Sequence, residues 1–587
     1  MMQKYGSILV SLLILAAAAV GAYRWADALQ YSFFTYQSPL SVVQVPPGQP
    51  LPAQTQRVVV VIIGGLGYAA SNSLDMPNYE ALRAAGASAT MISQPPTYPL
   101  PARTTLVTGA WPELTGAPSL EATPTGVRPV PLDHLFAAAQ DAGLRTAIAG
   151  FEGWKSLFPA NTPHASFFTP DQDTIADAQV AQAAFDFIAD AQYHLVLIHF
   201  SQLDAAGQAG GVNSPAYTSA ARQIDNHLRQ IVRLVDTSRS VLIVTSDHGL
   251  MEGGQLGGGE PELTQLPFVM IGQGIVPGVY SGIRQVDLAP TVAALLGTRL
   301  PAVTQGRPLY EMMRLEAEAQ AQSQLALATQ KVALGDAYLR VLGENGLSQA
   351  THQDLASAQQ TLLNGNQAGA LELARLVAEE AAAEMTAAKA ARIAMERLPR
   401  LALVVAGMVL TLILFWGRRG ANSLLEIVAG GATLMIYYGL YRLAGHTFSL
   451  STIGDVGTFF TSLLRYAIVG LAGGELLLLF GLLYRDERRW SAAILAGYDY
   501  GLLATWLAAL PALLGYWQHG AIIRWYLPDL GLTLLHFLSL VQVGVAAALA
   551  IALPWLVGLV TWAIGRWRAY SETRAQAWDP IARLRRR

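Results

Sequence analysis

The chain has 587 residues, of which 52% are hydrophobic and only 13% are charged, and its mean hydropathy is +0.34. This length predicts more than one domain, and this hydropathy excludes a wholly soluble or disordered protein and indicates a membrane. The formal net charge of −3 argues against nucleic-acid binding, which needs a basic surface. The absence of cysteine excludes disulfides, iron–sulfur clusters and thiolate zinc sites, so any metal would bind His, Asp, Glu or hydroxyl groups.

Six apolar stretches are long enough to cross a bilayer core, which requires roughly 20 residues of helix. They lie at residues 7–23, 401–416, 424–444, 456–484, 491–517 and 530–565. We interpret the first, within residues 1–30, as an uncleaved anchor, although Val20 and Ala26 begin segments that resemble signal-peptide cleavage sites. The other five predict a transmembrane bundle over residues 401–565, which a basic tail at residues 566–587 follows.

The orientation in the membrane is predicted from the arginines in the short connections. Arg418 and Arg419 follow the second span, Arg485 follows the fourth and Arg566 follows the sixth, whereas the opposite connections carry only Arg524. Basic residues accumulate on the cytoplasmic side. The pattern therefore predicts a multi-pass protein of the cell (plasma) membrane with both termini in the cytoplasm and the large segment between the first two spans outside it.

Residues 57–310 have the alternating pattern of an α/β domain. Continuous apolar or β-branched runs at residues 57–63, 144–149, 194–200, 240–245 and 267–271 predict strands buried on both faces. Helical segments are predicted between them, for example at residues 131–142 and 174–190. This alternation predicts a mostly parallel sheet sandwiched by helices, with its chemistry at the carboxyl ends of the strands.

Four motifs occur in order along this segment. They are VVVVIIGGLG at residues 58–67, PTYPLPARTTLVTG at 96–109, LDAAGQ at 203–208 and TSDHG at 245–249. Together they resemble the alkaline phosphatase and sulfatase superfamily, and within it the type I phosphodiesterases and glycosylphosphatidylinositol ethanolamine phosphate transferases. Residues 285–291 and 306–309 are similar to the end of that domain. The resemblance implies an alkaline phosphatase-like fold, expected outside the cytoplasm.

The resemblance also implies a reaction at two metal ions, usually zinc, with a Thr or Ser nucleophile. The nucleophile position is Pro99, the retained metal-ligand positions are Asp204, Asp247 and His248, and the lost ones are Gly64, Gln208 and Leu256. Proline has no hydroxyl, and one or two ligands hold zinc weakly. The domain is therefore predicted to be a pseudoenzyme with no catalytic residues, no metal and no cofactor. The alternative is an active domain, which would bind zinc.

Other roles remain open for several residues. Asp247, His248 and Asp204 could instead form hydrogen bonds in turns. Two strand histidines, His194 and His199, are expected to be structural rather than substitute ligands. The hydroxyls that could replace the lost nucleophile belong to Thr97, Thr104 and Thr105.

Residues 311–400 are rich in Ala, Glu and Gln and predict a helical connector. Breaks at residues 343–346 and 364–366 divide it into three helices, and Pro399 is expected to end it. An apolar stripe between Leu325 and Leu342 has coiled-coil-like spacing. Packing against the other two helices accounts for the stripe, and a partner protein is the alternative.

Four ionisable residues fall within the predicted spans: Glu426, Arg465, Glu475 and Asp499. Charge is costly in hydrocarbon, so all four are expected to face the bundle interior, a partner helix or a cavity. Asp499 or Glu426 is the expected counter-ion of Arg465. We favour structural pairing over a transport path because no broken or repeated helices are evident.

Three functions are compatible with these patterns. The first is a non-catalytic scaffold or accessory subunit of a larger membrane complex, for electron transport or envelope assembly, whose partners are the lipid bilayer and other membrane subunits. The alternative is an active metal-dependent phosphodiesterase or phosphoethanolamine-type transferase acting on lipid or glycan phosphoesters. The third is a module that binds an anionic ligand in the former cleft.

Overall fold

A computed structural model describes residues 2–117, 132–159, 162–417, 423–486 and 489–578. The soluble part is built on one eight-stranded sheet. The strands are β1 (Arg57–Ile63), β2 (Ala87–Ile92), β3 (Arg145–Phe151), β4 (Ala165–Thr169), β5 (Tyr193–Phe200), β6 (Ser240–Thr245), β7 (Gln265–Gly272) and β8 (Gly278–Arg284). Their order is β4-β3-β5-β1-β6-β7-β2-β8, and only the two pairs made by β7 are antiparallel. The predicted mostly parallel α/β fold is confirmed.

Helices surround this sheet and continue into the membrane part. The first, α1 (Met2–Phe34), precedes the sheet, and the helices of the soluble part are α2 (Tyr68–Ser73), α3 (Pro77–Ala85), α4 (Pro99–Thr108), α5 (Pro112–Thr115), α6 (Leu135–Asp141), α7 (Thr174–Ala189), α8 (Gln202–Gly210), α9 (Pro215–Leu234), α10 (Pro261–Thr264) and α11 (Leu288–Leu296). The connector contains α12 (Ala317–Val341), α13 (Gln349–Leu363) and α14 (Gln367–Gly417). The remaining helices are α15 (Ser423–Leu443), α16 (Val456–Tyr484), α17 (Trp490–His519), α18 (Leu530–Leu549) and α19 (Leu553–Trp578).

The central strand β1 separates two hydrophobic cores. Val58, Val60 and Ile62 point into the core shared with α11 and the connector, whereas Val59 and Val61 alternate into the core beneath α7 and α9. Successive side chains of a strand point to opposite faces, so a strand covered on both sides must be apolar throughout. This explains the unbroken apolar run of β1.

The connector does not end at Pro399. Helix α14 is continuous over 51 residues and contains Pro399 in its interior, so the third connector helix and the predicted span at residues 401–416 are one helix. Proline removes one backbone hydrogen bond and disfavours a helix interior without always ending it. The prediction that Pro399 ends the connector is therefore wrong, because the helix-forming sequence on both sides continues through it.

Five helices of the described chain are long and apolar enough to span a membrane. They include residues 6–34 of α1 together with α15, α16, α17 and α18. The predicted span at residues 530–565 is divided into α18 and α19 by a turn at residues 550–552. A stretch of that length exceeds the roughly 20 residues that a bilayer core needs, so only its first part matches one crossing.

Helix α19 continues in the direction of α18 along its neighbour α17. Gly501 faces Ala550, and Gly497 faces Pro554 at the start of α19. Gly558, one turn further, faces Ile494. Because positions on α17 decrease as positions on α18 and α19 increase, the pair runs antiparallel to α17 without reversing at the break.

Polar contacts connect the soluble domain with the bundle. Ser451, in the connection before α16, donates a hydrogen bond of 2.5 Å to Glu260 of the soluble domain. The Tyr36 hydroxyl donates to the backbone oxygen of Glu113 at 2.8 Å, and Lys389 of α14 pairs with the Glu113 carboxylate. Contacts from three separate elements indicate that the domain is held against the bundle at several points.

The predicted orientation can be tested by cysteine labelling. A cysteine in place of exposed Ser281 on β8 is expected to react with an impermeant thiol reagent in intact cells, and one in place of Thr573 on α19 only after permeabilisation. The chain has no native cysteine, so the unsubstituted protein is the control. The reverse labelling pattern would contradict an extracytoplasmic soluble domain.

The buried His134 predicts a loss of stability in acid. Its Nδ1 accepts the backbone N–H of Ala137 at the start of α6, and burial lowers the pKa of His134 to about 4. Since the unfolded pKa is near 6.5, this contribution is complete above about pH 6.5 and is lost toward pH 4, by up to about 3 kcal/mol. His134→Asn keeps a capping oxygen that does not titrate, so the midpoint of thermal unfolding is expected to depend less on pH between about pH 6.5 and pH 4. An unchanged pH dependence would contradict the assignment.

Candidate active site and its replaced groups

The candidate site lies at the carboxyl ends of three adjacent strands. Strand β1 lies between β5 and β6, so the segments that follow these strands converge. They bring together Gly64 after β1, Asp204 on α8 after β5, and Asp247 and His248 after β6. The structure therefore assembles the positions that the motifs identify, at the edge where parallel sheets carry their sites.

The start of α8 fixes the position of Asp204. The Asp177 carboxylate accepts the backbone N–H groups of Ser201 and Gln202, each at 3.1 Å. Gly65 has φ +76°, and a side chain there would lie 2.8 Å from the Cα of Asp204. Glycine at this turn lets the backbone after β1 pack directly on α8.

Asp247 is the centre of a buried ionic cluster. Its Oδ2 lies 3.7 Å from Nε of Arg103 and 3.6 Å from Nε2 of His199. Its Oδ1 accepts the backbone N–H of His248 at 2.9 Å, and Gln285 donates a hydrogen bond of 2.5 Å to its backbone oxygen. Asp247 is fully buried and has cationic and polar neighbours on several sides.

Asp204 forms the second part of this ionic cluster. Its Oδ2 lies 3.7 Å from Nε2 of His248, which is also 3.6 Å from Oδ1 of Asp247. Gln208, one helical turn along α8, donates from Nε2 to Oδ1 of Asp204 at 2.8 Å. His248 thus lies between two carboxylates, and an amide hydrogen bond occupies the oxygen of Asp204 beside the lost histidine position.

The pKa values follow from burial and these neighbours. Burial opposes ionisation of Asp247, but His248, His199 and Arg103 outweigh it and hold the pKa of Asp247 below its usual range. Burial raises the pKa of Asp204 and lowers that of His199. Burial also opposes a charge on His248, yet Asp247 and Asp204 raise the pKa of His248 above its usual value. The carboxylates are therefore balanced by cations from the chain itself.

His199 occupies the space beside Gly64. A Cβ at Gly64 would lie 3.1 Å from Nε2 of His199 and 3.5 Å from the Cβ of Asp204. The imidazole thus stands where an aspartate ending β1 would place its side chain. His199 belongs to the cluster, whereas the half-exposed His194 accepts the backbone N–H of Arg145 at 3.3 Å outside it.

The predicted replacement nucleophiles are all bound to the backbone. Pro99 is the first residue of α4, and every residue of that helix is buried. Within α4, Thr104 and Thr105 donate to the carbonyls of Leu100 and Pro101 at 2.8 and 2.9 Å. Thr97 donates to the carbonyl of Gly258 at 2.8 Å. These hydroxyls stabilise α4 and the neighbouring loop. They donate to backbone carbonyls and not to the carboxylates of the cluster.

The family's two zinc ions do not fit these residues. Gly64, Pro99 and Leu256 offer no donor atom at their positions, and Gln208 donates its amide N–H to Asp204. Among the described residues, no group of three or more His, Asp or Glu side chains is placed to hold a metal ion. Zinc sites in proteins commonly use three or four such ligands.

Arg103 and Gln285 are site residues that the sequence analysis does not identify. Both side chains are 1% exposed, and both contact Asp247. Arg103 lies within the motif at residues 96–109, on helix α4, whose residues are all buried. A basic residue in an otherwise apolar and hydroxyl-bearing segment is the signal that indicates a buried partner of opposite charge.

Of the four ionisable residues in the predicted spans, Arg465 lies differently from the others. Glu426 and Glu475 are buried in the bundle, and Asp499 is half-buried, but Arg465 is exposed on α16. In the described chain, Arg465 forms no ion pair with any of these three acids. Arg465 therefore does not face the bundle interior, and the other parts of the expectation, a partner helix or a cavity, stay predictions; its long side chain can extend along the helix surface.

Comparison with known proteins finds similarities within the soluble domain. Residues 58–256 match the family described as type I phosphodiesterase / nucleotide pyrophosphatase. The chain is 26% identical over 293 residues to GPI ethanolamine phosphate transferase 2, catalytic subunit, of Homo sapiens, covering 45% of this chain and 29% of that protein. It is 29% identical over 181 residues to GPI ethanolamine phosphate transferase 3 of Schizosaccharomyces pombe, covering 29% of this chain and 20% of that protein. The chain thus spans less than a third of either relative.

Solved structures resemble the soluble part at low overall scores. Murine ectonucleotide pyrophosphatase/phosphodiesterase 5 has a TM-score of 0.35 and 14% identity, covering 41% of this chain and 95% of that chain. A 2-O GAG sulfatase has a TM-score of 0.37 and 14% identity, covering 44% of this chain and 74% of that chain. The chain thus combines a segment that matches the type I phosphodiesterase / nucleotide pyrophosphatase family model with several apolar helices long enough to span a membrane.

Proposed function

We infer that this protein is a non-catalytic subunit of a membrane assembly that acts on lipid- or glycan-linked phosphoesters. The observation that carries this proposal is the ionic cluster, in which Arg103 and His248 balance Asp247 and Asp204. In the family, two metal ions would provide the positive charge beside these carboxylates. Here the chain supplies it, and the nucleophile position is Pro99.

The relatives support the setting of this proposal. The human relative is described as the catalytic subunit of a GPI ethanolamine phosphate transferase, which indicates a protein that works in an assembly. The names of these relatives favour the alternative prediction, a transferase, more than a scaffold without any link to phosphoesters. An accessory subunit within such an assembly accommodates both the relationship and the replaced groups.

The loss of the nucleophile weighs most against catalysis by this chain. Removing a nucleophile typically lowers the rate by many powers of ten, and the remaining catalytic groups do not compensate when they act as a unit. The hydroxyls of Thr97, Thr104 and Thr105 are bound to backbone carbonyls, so none replaces it without breaking a buried hydrogen bond. We therefore assign no displacement step to this domain.

A transferase remains the second candidate function because of the relatives. It requires tightly bound metal, and this requirement separates the two candidates. The purified full chain, dialysed extensively, is expected to contain well below one zinc per chain by elemental analysis. A content near two zinc ions per chain would contradict the non-catalytic proposal and support the transferase.

A restored ligand set provides the matched control for the zinc measurement. Gln208→His together with Leu256→His adds two imidazoles at the positions where the family carries histidines, on the same side as Asp204. This variant is expected to bind more zinc than the natural chain under the same conditions. If the variant and the natural chain bind the same amount of zinc, then Gln208 and Leu256 are not the reason for weak zinc binding, and the interpretation of the cleft fails.

A co-purification experiment tests the accessory role. The full chain is purified in mild detergent, and proteins that accompany it are identified by mass spectrometry. A phosphoester-modifying membrane enzyme is expected among them, and a truncation before residue 401 should lose it, since helix packing then has little surface left. Recovery of the chain alone, with transferase activity of its own, would overturn the proposal.

A further inference from the structure

A cavity lies where the soluble domain meets the apolar helices. It has a volume of about 690 Å³ and is bounded by the ends of α1, α16 and α18 and by the former cleft of the phosphodiesterase-type domain. This volume lies within the range of roughly 300–1,000 Å³ typical of small-molecule sites. We call it the junction cavity.

The membrane side of the junction cavity is an apolar groove. Helix α18 packs against both α1 and α16, and residues of all three helices line the groove. Leu29 and Phe33 of α1, Phe459 of α16, and Leu534 and Phe537 of α18 line it. These side chains lie on helices that are long and apolar enough to span a membrane, at the ends of those helices that face the soluble domain.

The opposite side of the junction cavity is the altered part of the cleft. Pro99, Gln208 and Leu256, which stand at the nucleophile position and two metal-ligand positions, all line it. Arg103 and Asp247 lie behind them and are at most 1% exposed. The replaced residues therefore separate the buried charges from the cavity and give it a wall without charge.

The charge of the lining restricts what can bind. Among the described residues that line the cavity, none is Lys, Arg or His, and the one charged side chain is Asp455. Its Oδ2 accepts the backbone N–H of Thr458 at 2.6 Å, and this bond lowers the pKa of Asp455. A phosphate group would find no cation here and one carboxylate, whereas Gln30 and Gln255 offer hydrogen bonds to hydroxyl groups. The Thr533 hydroxyl donates to the backbone oxygen of Asp529 at 2.8 Å and can only accept a further bond.

We propose that the junction cavity binds a membrane lipid with an uncharged, hydroxyl-bearing head group, of the diacylglycerol class. Its chains lie in the groove between α1 and α16. Its head group contacts the side-chain amides of Gln30 and Gln255, which line the same cavity as Pro99 and Gln208. Lipid chains leave the bilayer and not water when they enter the groove, so packing in the groove positions the lipid and hydrogen bonds to the amides provide the selectivity. This site goes beyond the proposed function, because it requires neither a metal nor a partner.

Photolabelling of the full chain tests the site. The protein is reconstituted in phosphatidylcholine nanodiscs with a photoactivatable diacylglycerol or, in parallel, a photoactivatable phosphatidic acid. Labelled peptides are expected from residues 253–256 and from the first turns of α16 and α18, with diacylglycerol labelling about tenfold stronger, equivalent to ~1.4 kcal/mol. Equal or stronger labelling by phosphatidic acid would overturn the proposal.

Paired substitutions on α18 establish where the lipid lies. Thr533→Trp fills the groove and is expected to reduce labelling about tenfold, while Leu535→Trp, on the same helix but outside the lining, leaves it unchanged. Equal labelling of the two variants would place the lipid elsewhere and refute the site. If Thr533→Trp does not fold, Leu256→Trp blocks the cavity from the soluble side with the same expected loss. Zinc content and co-purification are measured separately, so failure here leaves the proposed function standing.

Discussion

Replacing Arg103 with methionine is expected to lower the free energy of unfolding of the soluble domain by about 3–5 kcal/mol. Methionine keeps much of the volume but removes the cation 3.7 Å from Asp247, whose carboxylate is fully buried. Removing one cation from a buried ionic cluster leaves the carboxylate of Asp247 with less compensation, since among the described residues only His248 and His199 then remain beside it. Thermal unfolding of the purified chain, followed by circular dichroism, measures the loss.

A surface arginine provides the control for this substitution. Arg222 forms an ion pair of 3.1 Å with Asp75, but the two side chains are 60% and 65% exposed. Arg222→Met is therefore expected to change stability by no more than about 0.5 kcal/mol. Adding Asp247→Asn to Arg103→Met should recover part of the loss. If the double variant loses more free energy of unfolding than the two single variants lose together, Arg103 and Asp247 do not act as an ion pair.

Gly474→Val is expected to destabilise the membrane bundle by about 3 kcal/mol or more. A Cβ at Gly474 of α16 would lie 2.3 Å from Oγ1 of Thr433, 2.4 Å from the Tyr500 hydroxyl and 2.8 Å from the backbone oxygen of Ala429. The backbone oxygen cannot move aside without displacing α15, so α15 and α16 must separate. The unfolding temperature in mild detergent, monitored by size-exclusion chromatography, should fall.

The matched control for this change is Gly431→Val on α15. A Cβ at Gly431 would meet nothing within 4 Å, and the residue lies in the same hydrophobic environment. Its substitution tests the helix propensity of valine without a packing clash. Equal destabilisation by both variants would show that the close contact of α15 and α16 is not what Gly474 provides.

The sequence predicts the central strands well because burial on both faces leaves a continuous apolar run. The predicted bounds of β1 and β6 coincide with the observed ones. Strands β2, β4 and β8 are not predicted. Strands β4 and β8 are the two edge strands and are less buried, and β8 also contains Gly278 and Gly282. Strand β2 is mostly buried, but its sequence, ASATMI, lacks the continuous apolar run that identifies the other buried strands.

The candidate site shows a similar division. The motif spacing identifies the positions after β1, β5 and β6, and the sheet order brings them together. No spacing rule predicts that Arg103 from α4 points at Asp247, or that His199 fills the place beside Gly64. These contacts depend on how α4 packs across the sheet, which is a property of the tertiary structure and not of any local pattern.

The unbroken helix α14 has a mechanical consequence. At about 1.5 Å per residue, its 51 residues form a strut about 77 Å long, with one end in the connector and the other among the apolar spans. Helix α14 packs on α12 and α13 at its connector end and on α17 at its apolar end, and Lys389 ties it to Glu113 of the soluble domain. A displacement of its apolar end is therefore transmitted to the soluble domain through one continuous element.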